Sequence, residues 1–147
     1  MKTEYSFHAS QFFTATIYEW QPVLAGNQYK NIIIESLQFL VAEKRIELNA
    51  FVIMHNHIHL IWQGLNDFTP SAIQASFMKY TAQQIKRSLI KNNPDILPGF
   101  RVNKYDRDYQ IWKREPLSIE LISESMFIQK LEYIPARRIG RAGITTL

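Results

Sequence analysis

Phe51-Val-Ile-Met-His-Asn-His-Ile-His-Leu-Ile-Trp62 is the stretch on which the reading of this chain turns. A β-strand sends alternate side chains to opposite faces. His57 and His59 therefore project together, while Ile58, Leu60 and Trp62 project together on the other side. His55-Asn56 reads as a tight turn, so the segment predicts a hairpin of strands Glu47–Met54 and His57–Gln63. Two imidazoles side by side on a strand make half of a divalent-metal site. The apolar face behind them can bury against a core.

Working outward, Gln11 to Trp20 is rich in aromatic and β-branched residues and predicts a strand, broken by Pro22 and Gly26. From Gln28 to about Lys44, Ile32, Leu37, Leu40 and Val41 recur near helical spacing. Past the loop Gly64–Thr69, Thr69-Pro70-Ser71 is a helix entry with proline in the first turn. That helix runs to about Lys91 with Ile73, Phe77 and Tyr80 on one stripe, and Asn92-Asn93-Pro94, Pro98 and Gly99 end it. Tyr109 to Lys113 reads as a fourth strand, and Ser118 to Tyr133 as a last helix. The order β-α-β-β-α-β-α predicts an α+β, ferredoxin-like (RRM-like) antiparallel sheet, with helices on one face and an appended C-terminal helix. A chain of 147 residues fits one domain, spanning 1–147.

Composition narrows the function classes. Apolar residues make up 46% and aromatics 13%, which argues for a folded core and against disorder. The formal charge of +4 suits a polyanionic partner without demanding one. Arg137, Arg138 and Arg141 cluster near the end. The absence of cysteine excludes disulfides, thiolate zinc sites and a cysteine nucleophile. No apolar run approaches the ~20 residues of a membrane span, and Met1 to His8 lacks a secretory h-region. A cytoplasmic protein that engages no membrane is expected.

The histidine half-site needs completion. One reading leaves His57 and His59 as polar residues on the solvent face of a half-exposed strand. The metal reading needs a third ligand, which magnesium or manganese would take as oxygen. His55 offers a third imidazole, but its direction from a turn is unpredictable, so an all-histidine zinc site stays a lesser alternative. On the last helix Ile122, Met126, Gln129 and Tyr133 share a face. Such a stripe is usually core, with a terminal tyrosine packed hydroxyl outward. A metal on the neighbouring strand would change the meaning of that tyrosine.

These residues resemble a known pattern. The stretch Phe51–Trp62 is similar to the histidine–hydrophobe–histidine strand of the single-tyrosine HUH transposases, usually a hydrophobic run followed by Met-Pro-Asn-His-x-His. Tyr109-Gln-Ile-Trp-Lys-Arg114 resembles their Phe-Trp-Gln-Arg-like strand, and Lys130-Leu-Glu-Tyr-Ile134 the start of the Tyr-Ile-x-x-Asn-Pro segment of REP-associated tyrosine transposases. The resemblance implies that His57 and His59 hold Mg2+ or Mn2+ against the scissile phosphate of single-stranded DNA. It also implies that Tyr133 attacks that phosphorus, leaving a 5′-phosphotyrosine and a free 3′-hydroxyl. The implied partner is a single-stranded DNA hairpin at the ends of a mobile element. Lys79, Lys86, Arg87, Lys113 and Arg114 are candidate phosphate contacts, each equally an ordinary solvated charge. Many members of that family are homodimers, some with the tyrosine helix of one chain completing the site of the other, whereas REP-associated members can act as monomers. The sequence leaves both open.

The chain also departs from the family. Its relatives place Asn, Gln or Glu one helical turn after the tyrosine as third metal ligand, where this chain has Arg137, which has no lone pair to give. Pro135 disfavours helical geometry at Ile134, and His55 stands where the family has proline. Arg141-Ala-Gly143 resembles the Arg-Ala-Gly that follows the family's Asn-Pro. Two outcomes stay open. Gln129, one turn before Tyr133, supplies the oxygen, with Glu132 a poorer candidate, or the site binds metal weakly and this copy cleaves slowly or not at all. The rival reading is a non-catalytic ferredoxin-like nucleic-acid-binding module.

Overall fold

The computed structural model describes residues 8–134. Strands β1 (Gln11–Thr16), β2 (Ile46–Ile53), β3 (His57–Gly64) and β6 (Leu117–Glu120) form an antiparallel sheet in the order β2-β3-β1-β6. Helix α1 (Asn27–Ala42) connects β1 to β2 and helix α2 (Pro70–Asn92) follows β3. Strands β4 (Arg101–Lys104) and β5 (Arg107–Tyr109) form a separate two-stranded ribbon, and α3 (Glu124–Tyr133) is the last described element. The expected ferredoxin-like sheet is present, with the β-ribbon inserted before its last strand.

Alternation sorts the sheet into two faces. Phe13, Ala15 and Ile17 join Ile58, Leu60 and Trp62 under α1 and α2, packing against Ile33, Leu37, Ile73, Phe77, Ile85 and Leu89. The opposite face carries a smaller cluster of Phe12, Ala50, Val52 and Ile61, covered by Leu121, Ile134 and, from α3, Met126 and Phe127. A register shift between Leu48 and Ala50 lets β2 serve both faces, because the extra residue, Asn49, flips the alternation. Leu48 and Phe51 thus meet the same core in spite of their odd spacing.

The α2 entry follows the sequence: Thr69 is the N-cap, its hydroxyl accepts from the Ala72 N–H at 3.3 Å, and Pro70 opens the helix. Its buried stripe is Ile73, Phe77, Thr81, Ile85 and Leu89, whereas Tyr80 is exposed. The Trp112 indole N–H donates to Thr81 Oγ1 at 3.0 Å, tying the chain after β5 onto α2.

Three expectations need correction. Residues Tyr109 to Lys113 are not the fourth strand: Tyr109 ends β5, and Trp112 makes only an isolated bridge to Ile17. The fourth strand is Leu117–Glu120, an apolar–polar alternation lying where the sequence predicts the start of the last helix. That helix begins at Glu124 rather than Ser118, because Ser123 caps it, accepting from the Met126 N–H at 3.2 Å. Ile122 therefore precedes the helix and is exposed. The first strand ends at Thr16, and Tyr18–Trp20 turns sharply.

Candidate functional site

His57 and His59 project from β3 onto the sheet face opposite α1 and α2, with ring centroids 4.8 Å apart. Each ring is fixed through Nδ1. Asn56 Oδ1 lies 2.8 Å from His57 Nδ1, and an amide oxygen only accepts, so His57 carries its proton on Nδ1. The same amide turns its Nδ2 toward the Trp20 carbonyl at 3.5 Å, consistent with that orientation. Thr14, the cross-strand partner of His59, places Oγ1 2.8 Å from His59 Nδ1. Accepting that proton, Thr14 would leave Nε2 as the lone-pair nitrogen of His59 too. Ring orientation by a neighbour on the second nitrogen is how protein sites prepare metal-binding histidines.

Both rings favour the neutral form that a metal requires. Burial lowers the His57 pKa, with His55 adding to the effect. Burial, then His57, then Lys130 push His59 from 6.5 down to about 4. The folded value lies below the unfolded one, so neutral His59 stabilises the fold fully above about 6.5, and this contribution is lost as pH falls toward and through about 4. The melting temperature should accordingly drop across that window, and His59→Gln should flatten the drop. An equal slope in that variant would assign the pH dependence to other groups.

Tyr133, on the last turn of α3, stands edge-on to His59 with ring centroids 5.3 Å apart, and edge-on to Phe12 at 5.7 Å. Phe12 in turn stacks on His59 at 5.4 Å. The phenol and the imidazole pair thus come together within one chain. Helix α3 has 10 residues and buries none of them fully, so its own hydrogen bonds cannot account for its position. Leu121 before it and Ile134 after it, 8% and 1% exposed, pin it to the sheet. Ile134 holds the end of the helix down while Tyr133 stays 60% exposed, ring against the site and reachable by a substrate.

Lys130 was not singled out from the sequence. Its Nζ lies 4.9 Å from the Phe12 ring centroid and 5.7 Å from that of Tyr133, placing a cation inside the cluster. Its position three residues before Tyr133 was the available signal. Asn56 and Thr14 were also missed as orienting residues, since Thr14 is identified only once the β1–β3 register is known.

Gln129 is exposed on α3, as is Glu132, and His55 is exposed in the turn. Among the described residues no three His, Cys, Asp or Glu side chains converge as a metal site. Pro135, Arg137 and the Arg141–Gly143 segment lie outside the described residues. Lys79, Lys113 and Arg114 line a groove of about 500 Å³ between α2 and the chain after β5, together with Arg107 and Trp112. Lys79 and Lys86 line an adjoining hollow beside Tyr109, while Arg87 is exposed and lines neither. Because α2 packs on the other sheet face, Lys79 and Lys86 belong to a separate basic surface and not to the histidine–tyrosine cluster. No described helix is long and apolar enough to cross a membrane.

The sequence model of the family described as "Transposase IS200 like" matches residues 8–123. No curated protein matches the chain. The solved REP-associated tyrosine transposase bound to a REP hairpin is similar at 17% identity and a TM-score of 0.60, covering 97% of this chain and 74% of that one. A candidate transposase from Deinococcus radiodurans R1 is similar at 16% identity and a TM-score of 0.48, covering 91% of this chain and 95% of that one.

Proposed function

This chain belongs to the IS200-like transposase family, and from that premise we propose that it nicks and rejoins single-stranded DNA through Tyr133. The observation that carries the reading is the 5.3 Å approach of the Tyr133 ring to His59, within one chain and beside His57. In the nicking step the Tyr133 oxygen bonds to phosphorus and loses its phenolic proton to solvent, while the bond from phosphorus to the 3′ oxygen breaks and that oxygen takes a proton from solvent. The products are a 5′-phosphotyrosine and a free 3′-hydroxyl. A 3′-hydroxyl from another end then attacks the same phosphorus, restoring a phosphodiester and releasing Tyr133, so no nucleotide cofactor is consumed.

His57 and His59 suit Mg2+ or Mn2+, each ring neutral and oriented at Nδ1. A divalent ion there supplies Lewis-acid polarisation of the scissile phosphate. Gln129 is the proposed oxygen donor, on the exposed flank of α3 one turn before Tyr133. Lys130 sets a positive charge beside the Tyr133 ring, where it offsets negative charge gathering on the phosphate. Since phenol and imidazoles come from one chain, a partner subunit is not needed to build this cluster.

The proposed substrate is a single-stranded DNA hairpin, in keeping with the structurally similar REP-associated transposase, which is bound to a REP hairpin. The groove between α2 and the chain after β5 suits its backbone, with Lys79, Lys113, Arg114 and the neighbouring Lys86 for phosphates. Replacing Lys79 and Lys86 together by glutamine should weaken hairpin binding and reduce the log–log salt slope by about two, one per lost phosphate contact. An unchanged slope in a binding titration would place the hairpin elsewhere.

Incubating the protein with a labelled hairpin oligonucleotide and Mn2+, then denaturing it, tests the reading. A covalent protein–DNA band supports nicking. Tight binding without such a band at any divalent-metal concentration supports the non-catalytic module instead.

A further inference from the structure

The turn after β1 holds a residue that neither the nicking step nor the folded core uses. Trp20 is 59% exposed, whereas Trp62 and Trp112 are 2% and 6% exposed. Trp20 and the preceding Glu19 both have left-handed backbones, with φ of 53° and 57°. A Cβ is crowded there, and glycine or asparagine is the favoured occupant. The turn is nonetheless pinned from several sides. The Ile17 N–H donates to the Asn56 carbonyl at 2.9 Å, the Tyr18 N–H to the Ile111 carbonyl at 2.8 Å and the Trp20 N–H to the Ile17 carbonyl at 2.9 Å. Gln21 Nε2 donates to the Gly99 carbonyl at 2.7 Å. The fold thus holds a large aromatic in an unfavourable backbone state without burying it, which points to a use outside folding.

Its neighbours indicate that use. One amide, Asn56, approaches the Trp20 carbonyl with Nδ2 and His57 with Oδ1. Lys113 Nζ lies 5.1 Å from the centroid of the Trp20 ring. The Lys113 N–H donates to the carbonyl of Thr16, the cross-strand partner of His57, at 2.7 Å. An exposed indole beside an ammonium is the pairing with which proteins hold an unpaired nucleotide, base on ring and phosphate on cation.

We infer that Trp20 and Lys113 form a nucleotide subsite next to His57, where one unpaired base of the DNA strand stacks and sets which phosphate reaches the imidazole pair. The inference rests on the single-stranded DNA reading above. Every base has a π face, so this subsite sets the register of the strand rather than its sequence.

The test is a metal-free titration of the full chain with a short oligothymidylate, followed by tryptophan fluorescence. Trp20 is the accessible indole, so binding should quench the emission. Trp20→Ala and Trp20→Asn should weaken binding by about 5- to 100-fold, the range for loss of one stacked base, and Trp20→Phe should retain most of it. Trp20→Asn should melt no lower than wild type because it relieves the left-handed strain, which a purely structural tryptophan would not allow. Lys113→Gln should lower the log–log salt slope by about one. Wild-type binding without quenching, or Trp20→Ala binding as tightly as wild type, overturns the subsite and leaves the nicking reading standing. If the wild-type chain binds no single-stranded DNA at low salt, the DNA reading falls and takes the subsite with it.

Discussion

Tyr133→Phe should eliminate covalent attachment to DNA while leaving the fold and DNA binding unchanged. The substitution removes one hydroxyl and keeps the ring, so the edge contacts to Phe12 and His59 survive. At 60% exposure the residue has little burial to lose. Removing a nucleophile costs catalysis on the order of 10⁶-fold, so the adduct should vanish from a denaturing gel. Thermal melting and a hairpin titration provide the controls. A covalent band of wild-type intensity in this variant would mean that another residue attacks the phosphate.

His57→Ala should slow metal-dependent nicking by about 10²- to 10³-fold, because Lewis-acid polarisation of a phosphate contributes several kcal/mol to such a reaction. It should leave the melting temperature nearly unchanged. His57 is only half-buried, and its side-chain hydrogen bond is a local one to Asn56. His59 gives a sharper contrast, since it stacks on Phe12, meets Tyr133 edge-on and bonds to Thr14. His59→Ala should therefore lose both activity and stability. Binding of Mn2+ followed by calorimetry should weaken in both variants. Wild-type nicking by His57→Ala would remove the imidazole pair from the reaction.

The parts of the molecule legible in the sequence are those governed by short periodicities. Alternation along Phe51–Trp62 places His57 and His59 on one face and Ile58, Leu60 and Trp62 on the other, as found. The four-residue rhythm and the Thr69-Pro70 entry locate α2, although the buried stripe continues through Thr81 rather than Tyr80. The last strand was not legible, because Leu117-Ser-Ile-Glu is four residues long and runs into a helix whose cap, Ser123, competes with Ser118 as a start signal. Contacts that depend on register or docking were equally hidden. Thr14 on His59, Lys130 beside Tyr133 and the left-handed turn at Trp20 appear only once distant segments meet. Ile134 reads in sequence as a plain apolar residue, yet its burial is what presents Tyr133 to the histidines.

Peptide mapping of the trapped adduct reads the proposed chemistry most directly. The wild-type chain would be incubated with a labelled single-stranded hairpin and Mn2+, digested, and sequenced by mass spectrometry. The expected result is a nucleotide joined through its 5′ phosphate to Tyr133. A phosphonucleotide on any other residue, or no adduct under any divalent metal while the hairpin stays bound, would contradict it.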